Sequence, residues 1–236
     1  MDQLARKTDI SVQGGKQVKV IELNASVTES NDRDADAIRK EMKEKGTLLI
    51  NLMSSPGSGK TTLLSRTITD LRDDLDIAVM EADIASDVDA VKIENLGATS
   101  IQAHTDGMCH MDAGMTKRAL DSMGYEGKDL IFLENVGNLI CPAEFDTGAG
   151  LKVMILSVPE GDDKPLKYPL MFEESDALVI TKTDTLSYFD FDVDKCQERA
   201  RNLNPDISIF PVSAKTGDGM DAFENWLKEQ VKTWKS

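Results

Sequence analysis

Residues Leu48 to Leu64, LLINLMSSPGSGKTTLL, decide the fold. An apolar strand-like run, Leu48–Met53, passes directly into a turn of small residues and then into a helix-like run over Thr61–Arg72. The turn, Ser54-Ser55-Pro56-Gly57-Ser58-Gly59-Lys60-Thr61, has the layout of a phosphate-binding loop. Small residues let successive backbone N–H groups face an anion, Lys60 adds a mobile positive charge, and Thr61 offers a hydroxyl to magnesium. Ser54 stands where the pattern GxxxxGK[ST] has glycine, while Gly57 and Gly59 keep the positions nearest the lysine. Pro56, Gly57, Ser58, Gly59, Lys60, Thr61 and Thr62 are the expected phosphate-side residues.

Outward from this loop, short apolar runs alternate with helix-like segments. The runs are Leu48–Met53, Ile77–Ala82, Thr99–Gln102, Leu130–Leu133, Val153–Val158, Ala177–Thr181 and Ile207–Val212. Helices are predicted over Thr61–Arg72, Val88–Leu96, Ala113–Met123, Leu166–Glu173, Val193–Leu203 and Ala222–Lys232. The alternation predicts an α/β fold, a mostly parallel sheet flanked by helices on both faces. Ligands of such sheets collect beyond the carboxyl ends of the strands. Towards the N-terminus the text reads as an arm over residues 1–46 preceding a nucleotide domain over 47–236. Residues 1–15 are polar and read as frayed, and Gln17–Leu23 as a short strand. Thr28–Lys45 reads as an exposed helix with a narrow apolar stripe at Ala35, Ile38 and Met42, stopped by Gly46.

Composition limits the partners. With 42 acidic and 27 basic residues the formal charge is -15, which disfavours nucleic acid and anionic membranes at long range. No apolar run approaches the roughly 20 residues of a membrane span, and the first 20 residues lack a signal-peptide core, so a cytoplasmic protein is expected. Three cysteines, Cys109, Cys141 and Cys196, suit ligation or redox chemistry in a reducing compartment better than a disulfide framework.

Several constellations carry chemistry. Glu81-Ala82-Asp83 and Glu134-Asn135-Val136-Gly137 end predicted strands on the nucleotide side, where carboxylates hold magnesium or orient a water. Lys60, Asp83 and Glu134 are the expected catalytic set, with Thr61, Asp83 and Glu134 on magnesium. Gly137, three after Glu134, can bring a backbone N–H to the γ-phosphate and makes this turn a candidate switch. Thr181-Lys182-Thr183-Asp184 has the form of a guanine-reading segment with Thr181 in place of the usual Asn; Asp184 accepts from guanine and the Lys182 stem packs on its ring. Ser213-Ala214-Lys215 follows in the expected order to reach the guanine carbonyl, and together they favour GTP over ATP. Finally, Cys109-His110 and Cys141 offer two thiols and an imidazole, a ligand set for zinc or nickel. Three ligands leave a tetrahedron open for a water or a second subunit. His104 and Asp112 are spare ligands nearby, and Cys196 reads as structural.

In text and order, SSPGSGKTTLL, EADIASDVDA, CHMDA, ENVGNLICP, EGDDKPLKYPLMF, TKTD and SAKTG resemble the HypB family, GTPases that assist nickel insertion during hydrogenase maturation. The similarity runs from about residue 17 to the C-terminus. It implies the SIMIBI class of P-loop GTPases, slow GTP hydrolysis, and a nucleotide-dependent homodimer with Cys109, His110 and Cys141 as a metal site at its interface. It also implies other hydrogenase-maturation proteins and the hydrogenase large subunit as partners. The text departs from the family at HTDGM before Cys109-His110, and it lacks the cysteine-rich nickel motif that some members carry near the N-terminus. Rival readings are a UreG-like nickel GTPase for urease, although the Cys-Pro-His text expected there is missing, a non-catalytic nucleotide- and metal-binding protein, and an ATP-dependent small-molecule kinase.

Overall fold

The structure is a computed structural model that describes residues 8–13, 16–21, 24–82, 93–105 and 107–236. A two-stranded antiparallel sheet, β1 (Thr8–Gln13) and β2 (Lys16–Ile21), precedes helix α1 (Asn24–Lys45). Then follow β3 (Leu48–Ser54), α2 (Lys60–Leu71), β4 (Ile77–Glu81), β5 (Thr99–Gln102), α3 (Ala113–Met123), β6 (Leu130–Glu134), α4 (Cys141–Glu144) and β7 (Leu151–Ser157). The chain continues through α5 (Lys164–Lys167), α6 (Pro169–Glu173), β8 (Ala177–Thr181), α7 (Val193–Leu203), β9 (Ser208–Pro211) and α8 (Met220–Lys235). Strands β3 to β9 form one parallel sheet in the order β5-β4-β6-β3-β7-β8-β9. The strand carrying the phosphate loop lies at its centre, and the chain leaves it in both directions, so β3 borders the switch point where ligands bind.

Alternation along β3 shows how the layers are built. Leu48, Ile50 and Leu52 face α2 and α8, whereas Leu49 and Met53 face the opposite layer of α1, α3 and the short helices α4 to α6 with α7. Fully buried strands explain why the text reads as continuous apolar runs rather than as alternation. Among the described residues no helix is long and apolar enough to cross a membrane.

Three local outcomes differ from the expectations. Thr8–Gln13 is paired with Lys16–Ile21 rather than frayed; a strand of polar composition is recognisable only through its partner. Helix α1 begins at Asn24, and its stripe is not an exposed face: Ala35, Ile38 and Met42 are buried with Leu49, Ile131 and Leu133. Burying a side chain such as Ile38 or Met42 contributes about 1.5–3 kcal/mol. The segment 166–173 is two helices, because Pro169 has no N–H and bars helical geometry at Tyr168, which sits at φ -132° and ψ 57°. Residues 83–92, which hold most of the expected helix Val88–Leu96, lie outside the described residues.

One feature of the α2–α8 contact titrates. Glu224 is 7% exposed on α8; burial first, and then the nearby Asp70, push its carboxyl from 4.5 up to about 7. Asp70 itself pairs with Arg66 on α2. A carboxyl whose folded pKa is raised favours the folded state least when ionised, so stability falls as pH rises from about 4.5 to about 7. Glu224→Gln is expected to stabilise the protein by about 1–2 kcal/mol near pH 8 and to be neutral near pH 4. Urea unfolding at both pH values tests this; an equal effect at both would show that titration is not the cause.

Candidate nucleotide and metal site

The phosphate loop joins β3 to α2, with Gly57 at φ 75° and Gly59 at φ 96°, left-handed conformations that suit glycine. Ser54 closes β3 in extended geometry, so no glycine is needed there. Its hydroxyl accepts from Lys60 Nζ at 2.9 Å and Ser58 Oγ at 2.8 Å and donates to the Ser55 carbonyl at 2.9 Å. Lys60 is thereby held against the loop and is buried there. Ser55 in turn donates to Glu160, which also accepts from the N–H and hydroxyl of Ser157, tying the loop to the end of β7.

Beside the loop, β4 and β6 end in Glu81 and Glu134, paired directly across the two strands and both buried. Thr61 Oγ1 lies 3.5 Å from Glu134 Oε1. Thr61 and Glu134 are therefore brought together as expected; Asp83 lies outside the described residues. Gly137 is pressed against the loop. A Cβ there would come within 2.9 Å of Pro56 Cγ and 3.0 Å of Pro56 N, closer than side chains tolerate.

The base-side residues converge from β8 and β9. Thr181 Oγ1 donates to the Ser58 carbonyl at 2.6 Å, so the threonine bonds the loop from the position where Asn is usual. Lys182, the one non-glycine residue with positive φ among those described, reaches across Gly59 and donates to the Gly57 carbonyl at 2.7 Å. Buried Ser213 donates to Asp184 Oδ1 at 2.8 Å and accepts from the Thr216 N–H at 3.2 Å, which orients the Asp184 carboxylate.

On the other side of the switch turn the thiols meet. The ligand atoms of Cys109, His110 and Cys141 all lie within 4.8 Å of one another. Cys109 Sγ is 2.7 Å from Cys141 Sγ and 3.7 Å from His110 Nδ1. Two thiolates on one zinc, with bonds of about 2.3 Å, stand about 3.7 Å apart, so the sulfurs must separate by roughly 1 Å to take an ion. Two soft sulfurs and an imidazole fit zinc or nickel. His110 is 4% exposed and stacks on Phe145 at 3.8 Å with an interplanar angle of 13°. Burial pushes its pKa below the usual histidine value, which keeps the ring neutral and able to ligate. The Cys141 thiol is pushed up to about 11, chiefly by Cys109 beside it and then by burial. Asp112 is engaged elsewhere, its carboxylate accepting from the Met115 N–H at 2.7 Å as the cap of α3, and Cys196 is buried in a separate cluster.

The chain has relatives among known proteins. Residues 48–211 match the CobW/HypB/UreG nucleotide-binding domain. The hydrogenase maturation factor HypB of Rhizobium leguminosarum bv. viciae is 44% identical over 219 residues, which span 93% of this chain and 73% of the relative. The chain belongs to the HypB family. A crystal structure of HypB from Helicobacter pylori in complex with nickel superimposes with a TM-score of 0.81 at 38% identity, covering 86% of this chain and 96% of that one. The signal recognition particle receptor FtsY from Elizabethkingia anophelis, with a TM-score of 0.53 at 15% identity over 94% of this chain and 75% of that one, shares the SIMIBI fold alone.

The HypB-like site also holds residues that the motif reading passed over. Asn138 Oδ1 accepts from the N–H groups of Ile140 and Cys141 at 2.7 and 3.2 Å and so orients the short helix that presents Cys141. Bonding the N–H groups two and three residues on is the pattern of an Asx turn, and asparagine is a residue type that favours it. Asn31 on α1 accepts from the Ala113 N–H at 2.9 Å and donates to the Asp146 carbonyl at 2.8 Å, joining the segments that follow both thiols. Arg39 pairs with Asp146 at 2.7 Å in the same place. No local signal marks Asn31 or Arg39, because their partners are more than 80 residues away.

Proposed function

We propose that this HypB-family chain is a slow GTP-hydrolysing metallochaperone that binds nickel or zinc and assists nickel insertion into a hydrogenase. The observation that carries the reading is that Cys141 follows, seven residues on, the glutamate that faces Thr61, so one segment touches both the phosphate loop and the metal cluster. Lys60 would meet the β- and γ-phosphates, with Thr61, Glu134 and Asp83 toward magnesium, which neutralises phosphate charge when bound. Lys182, Asp184 and the 213–215 segment would read guanine, and Gly137 N–H would approach the γ-phosphate. Cys109, His110 and Cys141 would hold the metal as cargo rather than as a permanent structural ion, since three donors leave one position open.

A nucleotide-dependent homodimer belongs to the same proposal. Met108 and Ile140, each next to a cysteine ligand, are 43% and 55% exposed, apolar surface that a second copy would cover while completing the metal's coordination. The division into an arm over 1–46 and a nucleotide unit over 47–236 is supported by the family match, which begins at residue 48, with α1 bracing the metal segments from outside it. The relatives named as hydrogenase maturation factors support hydrogenase and its maturation proteins as partners, and the charge balance disfavours nucleic-acid and anionic-membrane partners.

Isothermal titration of nickel with GDP and with a non-hydrolysable GTP analogue tests this. Nickel affinity is expected to differ by about 5–150-fold between the two states, the usual range of coupling between sites. Equal affinities would overturn the reading.

A further inference from the structure

Asn135 sits between the two residues of the switch turn that touch the phosphate loop. Glu134 precedes it and faces Thr61; Gly137 follows and abuts Pro56. Its own side chain is 0% exposed and turns the other way. Asn135 Oδ1 accepts from the Met111 N–H at 3.1 Å and from the Val136 N–H at 2.8 Å. Asn135 Nδ2 donates to Asn51 Oδ1 on β3 at 3.0 Å. Two N–H donors on one atom fix the orientation of the amide. Met111 immediately follows His110, so a single side chain joins the switch turn, the strand leading into the phosphate loop, and the segment that presents Cys109 and His110.

Asn51 and Asn135 are buried beside an apolar cluster, and Asn51 Nδ2 has no hydrogen-bond partner among the described residues. Replacing both amides by apolar side chains of similar shape would leave the Met111 and Val136 N–H groups without their acceptor, a cost of about 1–3 kcal/mol each. What an apolar pair would not supply is a directional bond from the turn to the Met111 backbone.

We propose that Asn135 is a positioning residue that carries the position of the Glu134–Gly137 turn to the Cys109-His110 ligand pair, with Asn51 as its anchor on the central strand. The inference rests on the proposed nucleotide-linked metal binding and assigns the link to one side chain. When a triphosphate shifts Gly137 from its place on Pro56, Asn135 moves with it, and the Met111 N–H must follow or lose its acceptor. His110 is then displaced relative to Cys141, which travels on the far end of the same switch segment.

Two measurements test the link. The first is nickel affinity of wild type and Asn135→Ala, each saturated with GDP or with a non-hydrolysable GTP analogue. The ratio between the two states is expected to collapse from its wild-type value to within about twofold of one in the variant. A brace with no coupling role would weaken nickel binding equally in both states and preserve the ratio, and that result overturns the proposal. The second needs no substitution and holds if Asn135→Ala does not fold. Amide hydrogen exchange at Met111 in wild type is expected to differ at least about tenfold between the two nucleotides, and equal exchange overturns the proposal. A wild-type nickel ratio of one would instead count against the proposed function, and Met111 exchange would still decide whether the turn and the ligand segment move together.

Discussion

Lys60→Ala is expected to reduce GTP turnover by about 10²–10³-fold, the loss typical of removing one preorganised donor to transition-state charge. The physical basis is its placement. Lys60 is 6% exposed at the start of α2, and its ammonium is held 2.9 Å from Ser54 Oγ by a loop whose glycines already have the required left-handed conformation. A cation in such a poorly solvated place interacts with phosphate more strongly than it would in water. Ser54, the departure from the loop pattern, gives the ammonium a partner when no phosphate is bound. Single-turnover phosphate release from preloaded GTP measures the effect. A residual rate equal to wild type would mean that the loop holds nucleotide without catalysing its hydrolysis.

The second large effect is expected at Cys141. Cys141→Ser should weaken nickel or zinc binding by at least about 100-fold, because even outer partners of metal ligands cost about 10–100-fold and this residue supplies a ligand atom. The same thiol sets a pH dependence. With its pKa pushed up to about 11 by the neighbouring Cys109, it must lose a proton to bind metal, so affinity should fall steadily as pH decreases from 8 to 6. In Cys141→Ser that slope should become shallower. Competition against a chromophoric chelator across this pH range reads both. Cys196→Ala is the control: its thiol is buried in another cluster and pushed up to about 12 by burial, so its loss should leave metal affinity within about twofold. Equal losses in the two variants would remove Cys141 from the site.

Much of the fold was legible in the text. The predicted spans for β5, β8, α3 and α7 coincide with the observed ones; β8 is a short buried run, β5 a half-buried edge strand, and α3 and α7 are amphipathic periods opened by the capping residues Asp112 and Asp192. The misses have separate causes. Tyr168-Pro169 splits a helix by a local steric rule, since the residue before a proline is disfavoured in helical geometry. The three-residue stripe of α1 does not say what covers it, and β1 reads as frayed because its pairing partner lies outside its own residues.

The candidate site divides in the same way. Lys60, Thr61, Lys182, Asp184, Cys109, His110 and Cys141 announce themselves by type and spacing, since phosphate, guanine and soft metals each demand particular atoms at short range along the chain. That much the sequence by itself determined: a phosphate loop, a candidate base reader and a candidate metal ligand set on one parallel sheet. Only the tertiary structure decided that Thr181 bonds the Ser58 carbonyl, that Ser54 holds Lys60, and that Gly137 rests on Pro56. It alone shows that Asn135 and Asn31 bind the segments presenting the thiols. These are contacts between distant segments whose partners carry no motif, for a backbone N–H or carbonyl is present at almost every position. Which of them a side chain meets depends on how the sheet brings β3, β6 and the ligand loop together.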